Sequence, residues 1–466
     1  MMIDNTTLQN DTIVAISTPH GVGGIAVIRV SGKDAVLFVS RCWHGKPIEE
    51  MKSHTAHFGR ITDAFGEELD EVVLTVFKAP HSFTGEDVIE IACHGSLWIQ
   101  QQIVNVLIDC GCRAASGGEF TRRAFANGKL DLSQAEAVAD IIASSSRASH
   151  RVAMNQMRGV FSQRIGELRQ QLLQFVSLIE LELDFSEEDV TFADREKLLS
   201  LANQIHGVIK RLAESYATGN VIKNGLPVAI VGQTNAGKST ILNALLHDDK
   251  ALVSDIQGTT RDVIEDTIVI GGITFRFIDT AGIRHSSDTI EAMGIERTFR
   301  KLDQAQIVLW VIDGTENPQD VAQFMADNIE PHCHGKQLMA VINKADVASA
   351  DNIAAITKAI GQLKHVVISA KREADIAMLQ LQVTEAAAIP QIDDNAVVVT
   401  NARHYEALVR ADEALARSIA GLKSGLSGDL VSQDIRECLH YLGEITGEIS
   451  NNEILGEIFS HFCIGK

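Results

Sequence analysis

The residues best placed for chemistry in this chain form a loop whose spacing suits phosphate groups. Residues 232–239 (GQTNAGKS) have the pattern G-x-x-x-x-G-K-S and follow an apolar, strand-like run at 227–231. Such a loop turns successive backbone N–H groups around a polyphosphate, where Lys238 would reach the terminal phosphates and the Ser239 hydroxyl would bind Mg²⁺. The alternative is a glycine-rich turn that matches by chance, and the segments downstream argue against it.

Two further segments suit the γ-phosphate and its metal ion. Residues 259–262 (TTRD) lie in a loop after the first helix, where Thr260 would complete the Mg²⁺ shell once the γ-phosphate is present. Residues 279–282 (DTAG) end a strand, so that Asp279 can hold a metal-bound water and the Gly282 N–H can sense the γ-phosphate. Both segments therefore predict a nucleoside triphosphate beside the first loop.

Two more segments suit the base. Asp346, in residues 343–346 (NKAD), can accept hydrogen bonds from the guanine N1–H and exocyclic amine, which adenine does not offer. Residues 369–371 (SAK) would close over the base. Five segments in this order predict GTP. The predicted contacts are Asn235, Ala236, Gly237, Lys238, Ser239, Thr240, Thr260, Asp279, Thr280, Ala281, Gly282, Asn343, Lys344, Asp346, Ser369, Ala370 and Lys371.

Strand-like and helical patterns alternate around these segments, which predicts a doubly wound α/β sheet. The predicted strands are residues 228–231, 274–278, 307–312, 338–342 and 366–368. Residues 263–270 join the second of these strands through Gly271 and Gly272, a two-residue hairpin signal that predicts one antiparallel edge.

The flanking sequence divides into different patterns. Residues 1–124 contain short β-rich runs, at 12–16, 25–30, 72–77 and 88–91, with interspersed helices, and predict an α+β domain. Residues 125–223 and 390–466 are helical in pattern. The predicted architecture is a Ras-like P-loop GTPase domain, residues 224–389, inserted between the two halves of an all-α helical domain.

The amino-acid composition and net charge limit the functions and partners expected of this chain. The 466 residues are 45% hydrophobic and 22% charged, as in ordinary globular proteins. A net charge of −20 makes the chain a poor autonomous binder of nucleic acid, so RNA would need a local basic patch or a partner. The start has no basic or apolar region typical of a secretory signal, and the seven scattered cysteines suit a reducing cytoplasm.

A glycine pattern near the start of the chain resembles a dinucleotide-binding motif but does not predict a dinucleotide site. Residues 21–26 (GVGGIA) fit G-x-G-x-x-A, but the β-branched residues 27–30 that follow predict a strand rather than the helix such a site needs. The glycines therefore predict a hairpin turn.

Segments outside the GTPase motifs carry a resemblance to a known family. They are residues 23–29 (GGIAVIR), 82–87 (SFTGED), 118–121 (GEFT), 127–132 (NGKLDL) and the terminal 462–466 (FCIGK). Together with the GTPase motifs they resemble the tRNA modification GTPases MnmE (TrmE) over essentially the full length.

The resemblance implies an activity at the wobble uridine, U34, of certain tRNAs. The chain would work with the flavoprotein MnmG, which carries FAD, to add an aminomethyl or carboxymethylaminomethyl group at C5. A folate would supply the one-carbon unit as 5,10-methylenetetrahydrofolate, with 5-formyltetrahydrofolate as an analogue. It would bind an N-terminal tetrahydrofolate-binding and dimerisation domain through Arg29, Glu90, Lys129 and Lys466. The alternative for each of these residues is an ordinary surface ion pair.

The resemblance also implies how GTP is hydrolysed. Glu291 would position the attacking water, although without the family it would be interpreted as a solvated helix residue. K⁺ would replace an arginine finger, bound by Asn235, the carbonyls of Ser254 and Ile256, and Thr259, and would require two GTPase domains to face each other. The loop around this ion adds the predicted GTP contacts Ser254, Asp255, Ile256, Gln257, Gly258 and Thr259.

Several alternatives stay open at this level. A regulatory or ribosome-assembly GTPase would share the GTP motifs but modify nothing. Cys463 could be a structural, folate-site or catalytic thiol, and the arginines along residues 147–169 could meet RNA or form a solvated helix face. The expected partners are a second copy, MnmG in a heterotetramer, tRNA and GTP, with no membrane, in the cytoplasm.

Overall fold

The computed structural model describes residues 11–184, 195–247, 266–278, 302–387, 397–449 and 452–460, together with Phe462 and Gly465. The chain forms two compact units. The first contains Met1–Ile142, Ala153–Lys210 and Glu406–Lys466, and the second contains Ala143–Val152 and Arg211–Tyr405.

A seven-stranded sheet forms the N-terminal part of the first unit. Its strands are β1 (Ile13–Ile16), β2 (Gly23–Ser31), β3 (Trp43–His44), β4 (Thr55–Thr62), β5 (Glu68–Phe77), β6 (Val88–Gly95) and β7 (Arg113–Ala114). The spatial order is β3-β4-β5-β6-β2-β1-β7, and the pairs are antiparallel except for β1 with β7. Gly21 lies in the connection between antiparallel β1 and β2, close to the predicted turn, and Gly23 and Gly24 begin β2.

One face of this sheet is buried because its strands alternate apolar and polar residues. Ile28, Leu74 and Ile91 are fully buried, together with Ile103 and Leu107 of a covering helix. The α-helices in the described residues of this part are α1 (Ala35–Ser40), α2 (Leu97–Asp109) and α3 (Glu119–Ala126).

The sequence analysis missed β4. Its residues (TAHFGRIT) carry polar side chains on both faces and a glycine in the middle, which weakens the strand signal. The structure explains Gly59, because a Cβ there would lie 2.3 Å from the Trp43 ring. This glycine therefore makes room for an indole that packs across the sheet.

Long helices follow this sheet along the chain, as the periodicity predicted, and some of them contain residues of both units. They are α4 (Leu132–Ala143), α5 (Arg147–Met157), α6 (Val160–Asp184), α7 (Arg195–Glu214), and, after the second unit, α13 (Ala402–Ser424), α14 (Gly428–Thr446) and α15 (Asn452–Ser460). Helix α6 packs along α14. Leu168, Leu172 and Phe175 recur at helical spacing and are buried on one face of α6.

The second unit is a doubly wound sheet, as predicted. Its strands are β8 (Leu226–Val231), β9 (Asp266–Ile270), β10 (Ile273–Phe277), β11 (Ile307–Asp313), β12 (Gln337–Asn343) and β13 (His365–Val367). They lie in the order β13-β12-β11-β8-β10-β9, and all neighbours are parallel except β9 with β10. Gly271 and Gly272 form the predicted hairpin with φ of +60° and +81°.

Helices cover both faces of this second sheet, which is why its strands are almost continuously apolar. They are α8 (Tyr216–Asn224), α9 (Lys238–His247), α10 (Pro318–Phe324), α11 (Ala350–Ala359) and α12 (Glu373–Ala387). Across the ranges described above, no helix is long and apolar enough to cross a membrane.

Candidate functional site

The phosphate-loop motif occupies the turn from β8 into α9. Gly232 has φ of +148°, and a Cβ there would lie 2.1 Å from the Val311 carbonyl oxygen of the neighbouring strand. Asn235 and Gly237 adopt left-handed φ values of +63° and +100°. These conformations curl the loop over the N-terminus of α9, where N–H groups and the helix dipole favour an anion.

Lys238 begins α9 and reaches back over this loop. Its Nζ donates to the carbonyl oxygens of Gly232 at 2.9 Å and Gln233 at 2.7 Å. The ammonium group therefore lies at the mouth of the curled loop. Ser239 and Thr240 follow in the first turn of α9.

Asn343 connects the phosphate loop with both base loops. Its Nδ2 donates to the Ala236 carbonyl oxygen at 2.9 Å, and its Oδ1 accepts from the Ala370 N–H at 3.0 Å. Only 2% of Asn343 is exposed, so both bonds are shielded from water. The phosphate loop at 232–239 and the two base segments thus form one site at the carboxyl ends of β8 and β12.

Asp346 lies at the rim of the same site and is held in a charged form. Its Oδ1 accepts from the Ser369 hydroxyl at 2.9 Å, and the Lys371 Nζ lies 3.6 Å from its Oδ2. The Ser369 hydrogen bond, with Lys371, holds the pKa of the Asp346 carboxyl below its usual value. A charged acceptor at this position suits the two N–H donors of guanine.

Part of the predicted GTP contact set lies outside the described residues. These are Ser254, Asp255, Ile256, Gln257, Gly258, Thr259, Thr260, Asp279, Thr280, Ala281 and Gly282, and the predicted catalytic residue Glu291 lies outside them as well. The described members, from Asn235 to Thr240 and from Asn343 to Lys371, are those that the structure brings together.

A second candidate site lies on the sheet of the first unit, where β2 pairs with β6. Arg29 of β2 and Glu90 of β6 are directly opposite in register, and the Arg29 Nη2 lies 2.7 Å from the Glu90 Oε1. The Arg29 guanidinium also lies 5.6 Å from the ring centres of Phe83 and Phe120. An ion pair with aromatic walls can bind a flat polar ring by stacking and hydrogen bonding.

The C-terminal segment returns to this pair. The Gly465 carbonyl oxygen accepts from the Ser17 hydroxyl at 3.2 Å and lies 3.5 Å from the Arg29 Nη1. Gly465 has φ of +95°, and a Cβ there would lie 2.2 Å from the Ile16 carbonyl oxygen. The close approach therefore requires glycine. Cys463 and Lys466 lie outside the described residues.

Lys129 is placed differently from Arg29 and Glu90. Its Nζ donates to the Pro80 carbonyl oxygen at 3.0 Å, at the start of the loop that carries Phe83. The same loop is tied down by Asn127, whose Nδ2 donates to the Thr84 carbonyl oxygen at 2.7 Å. Lys129 thus supports the loop, while Arg29 and Glu90 form the direct pair.

A buried network of charged side chains supports the loop that carries Phe83. Glu119 is fully buried and accepts from Arg113 and from the Ser116 N–H, while Arg123 bonds Glu119 and Glu86. Burial alone would raise the pKa of the Glu119 carboxyl, but these donors outweigh it and lower the pKa to about 2. Glu86 in turn accepts from Ser31 on β2 at 2.7 Å.

Sequence reasoning missed the two aromatic neighbours of Arg29 and the Ser17 hydroxyl, which donates to Gly465. Phe83 and Phe120 both fall inside segments that carried the family resemblance, SFTGED and GEFT, so a signal was present in the sequence. Ser17 carried none, because its contact depends on where residue 465 lies. Within the stretches of chain that are described, no group of three or more metal-ligating side chains could hold a metal ion.

The doubly wound sheet, the curled phosphate loop and the Asp346 base loop define a P-loop GTP-binding protein. The flanking α+β and helical parts make it a multidomain member of that class.

Comparisons with known proteins identify the family. A model described as the MnmE helical domain matches residues 132–463, and one described as the GTP-binding protein TrmE N-terminus matches residues 12–129. The chain is 55% identical to the tRNA modification GTPase MnmE of Bacteroides thetaiotaomicron over 469 residues, which cover 98% of this chain and 100% of the relative. It is 52% identical to the protein of that name from Flavobacterium johnsoniae, with the same coverage.

These matches are decisive because they extend over nearly the whole chain. The chain belongs to the MnmE family of tRNA modification GTPases and is a GTP-hydrolysing enzyme. A solved structure of the elongation factor SelB from Methanococcus maripaludis matches 36% of this chain and 35% of its own, at 16% identity and a TM-score of 0.26, which is too low to carry an argument.

Proposed function

We propose that this chain couples GTP hydrolysis to modification of C5 of the wobble uridine, U34, in certain tRNAs. It would act with the flavoprotein MnmG, which supplies FAD, to add a carboxymethylaminomethyl or aminomethyl group. The one-carbon donor would be 5,10-methylenetetrahydrofolate. The observation that carries the proposal is the Arg29–Glu90 pair, walled by two phenylalanines and reached by Gly465, in a chain that also holds the guanine-nucleotide site.

The Arg29–Glu90 pair fits a pterin ring. Both Arg29 contacts, from Nε at 2.9 Å and Nη2 at 2.7 Å, use the Glu90 Oε1. The second carboxylate oxygen therefore remains to accept from the amino and ring N–H groups of a pterin. Lys129 and the terminal Lys466 would bind the polar and carboxylate part of the folate.

The GTP site would hold two kinds of cation. Mg²⁺ would be bound by Ser239 and Thr260. K⁺ would be bound by Asn235, Ser254, Ile256 and Thr259, and would supply the positive charge that other GTPases take from an arginine finger. Asn235 fits this role because it is exposed at the left-handed turn of the phosphate loop. Lys238 would stabilise the phosphates, and Glu291 would orient the attacking water.

The assembly and location are also proposals. We place a homodimer interface in residues 1–124, the helical halves in 125–223 and 390–466, and the GTPase domain in 224–389. The dimer would form a heterotetramer with MnmG in the cytoplasm. Because the net charge is −20, MnmG or a local basic patch would contribute much of the tRNA affinity.

Calorimetric titration with 5-formyltetrahydrofolate tests the folate site. The wild-type chain should bind it, Glu90→Gln should weaken binding at least tenfold, or about 1.4 kcal/mol, and Glu68→Gln should bind normally. Glu68 is a matched control because it forms an exposed ion pair with Arg60 on the same sheet. Absence of binding by the wild type would favour a purely regulatory GTPase.

GTP turnover in K⁺ against Na⁺ tests the cation proposal. Faster turnover in K⁺, lost in Asn235→Ala, is expected because only a bound ion of suitable size completes the site. Equal rates in the two salts would contradict this part of the proposal while leaving the folate test unaffected.

A further inference from the structure

An ion pair beside the guanine loop joins Lys344, a predicted GTP contact, to Asp313, which has no part in the function proposed above. Asp313 ends β11 and lies opposite Asn343, the last residue of β12. Its Oδ2 lies 2.6 Å from the Nζ of Lys344, with 14% of the Asp313 side chain and 35% of the Lys344 side chain exposed. Lys344 itself has a left-handed φ of +63°, which a lysine rarely adopts.

The carboxylate is fixed by its own turn. Its Oδ1 accepts from the Thr315 N–H at 2.9 Å and from the Thr315 hydroxyl at 2.7 Å. Burial would raise the pKa of the Asp313 carboxyl, but the bonds from Lys344 and Thr315 outweigh it and lower the pKa. Asp313 is therefore charged at neutral pH and cannot rotate without losing these bonds.

The turn at 313–316 is also bonded to the guanine loop. The Gly314 N–H donates to the Asn343 carbonyl oxygen at 2.8 Å. Asn352 on α11 donates to the carbonyl oxygens of Gly314 at 2.7 Å and Glu316 at 2.9 Å. This turn is thus a rigid support on which Lys344 is anchored.

We propose that Asp313 is a positioning residue for guanine-nucleotide binding, acting through Lys344. With its ammonium group held by Asp313, Lys344 presents its four-carbon stem as an apolar surface between Asn343 and Asp346. That stem would pack on the face of the purine ring. The inference rests on the proposal that residues 343–346 bind guanine.

Asp346 and Asp313 have different roles in nucleotide binding, and these roles can be tested separately. Asp346 recognises the edge of the base and decides which purine binds. Asp313, through the lysine stem, contributes to holding any purine and does not distinguish among them. Removing Asp313 should therefore lower affinity for guanine and hypoxanthine nucleotides by the same factor.

The experiment measures affinities and dissociation rates of the full-length chain for GDP, IDP and XDP. Asp313→Asn should weaken GDP and IDP about tenfold each through faster dissociation, as expected for loss of a charge-assisted bond. Asp313→Glu should restore most of the affinity. Asp346→Asn should instead lose GDP and gain XDP, because the amide can donate to the C2 oxygen of xanthine.

The control is Asp320→Asn, the same charge change at an exposed position on α10. It should leave all three affinities unchanged. The proposal is overturned if Asp313→Asn binds GDP as wild type does, if GDP is weakened but IDP is not, or if only the nucleotide-free melting temperature falls. Failure of the wild type to bind GDP, or of Asp346→Asn to change base preference, would count against the guanine site itself.

Discussion

Replacement of Asn343 by alanine tests whether one side chain holds the phosphate and base loops together. Asn343 is almost fully buried and makes one bond to Ala236 and one to Ala370. Each buried bond contributes about 1 kcal/mol net, so the substitution should cost about 2 kcal/mol. That corresponds to roughly a thirtyfold smaller population of the competent arrangement of the loops.

The readout is the affinity for GDP. When a binding-competent state is only partly populated, the apparent Kd rises in inverse proportion to its population. Asn343→Ala should therefore raise the Kd for GDP by up to about thirtyfold while the far-ultraviolet circular dichroism stays that of the wild type. Fluorescent GDP titration and stopped-flow dissociation would measure the change.

Asn224→Ala is a matched control, because Asn224 is the exposed last residue of α8 in the same unit. It should leave GDP binding unchanged. A folded Asn343→Ala variant with wild-type GDP affinity would refute the reasoning, since the loops would then be held by other contacts.

Two close approaches at glycines and one buried carboxylate can be tested in related ways. Gly237→Ala should abolish GDP binding in fluorescence titrations, because φ at this residue is +100° and its Cβ would lie 2.1 Å from the Asn343 side-chain nitrogen. Gly361→Ala is the control and should bind GDP normally, because φ there is +65° and a Cβ would meet open space. The pKa of Glu119 is lowered to about 2 in the folded chain, so its charged carboxylate stabilises the fold fully above about pH 4.5, and this stabilisation is lost as the pH falls toward 2. In thermal melts at different pH values, Glu119→Gln should flatten that loss. A pH profile of the variant identical to that of the wild type would contradict this prediction. Gly465→Ala should weaken binding of 5-formyltetrahydrofolate in calorimetry, because its Cβ would lie 2.2 Å from a carbonyl oxygen of β1. The control is Gly66→Ala, where φ is +85° and a Cβ would meet open space. Equal affinities of the two variants would show that the close approach of Gly465 does not shape the folate site.

The fold class was accessible from the sequence because its signals are local. Strands of the second unit were predicted to within about two residues, since buried parallel strands are short apolar runs bounded by turns. The hairpin at Gly271 and Gly272 was predicted from the turn type that two glycines favour. The domain boundaries stay predictions, as do the roles of the residues outside the described parts of the chain.

The phosphate loop was equally predictable from the local sequence, because its phosphate-binding groups lie in eight consecutive residues between one strand and one helix. The family assignment was confirmed by the comparisons. The signal failed at β4, where the periodicity is diluted by polar residues and by a glycine whose purpose is to admit Trp43.

The sequence by itself determined which groups could bind a guanine nucleotide and in what order they occur along the chain. Only the tertiary structure decided that Asn343 joins Ala236 to Ala370, that Asp313 anchors Lys344, and that Gly465 returns to Arg29. Such contacts join residues that are tens to hundreds of positions apart, or depend on the register of two strands. No local propensity specifies them, because they arise only when the apolar faces of the elements pack together.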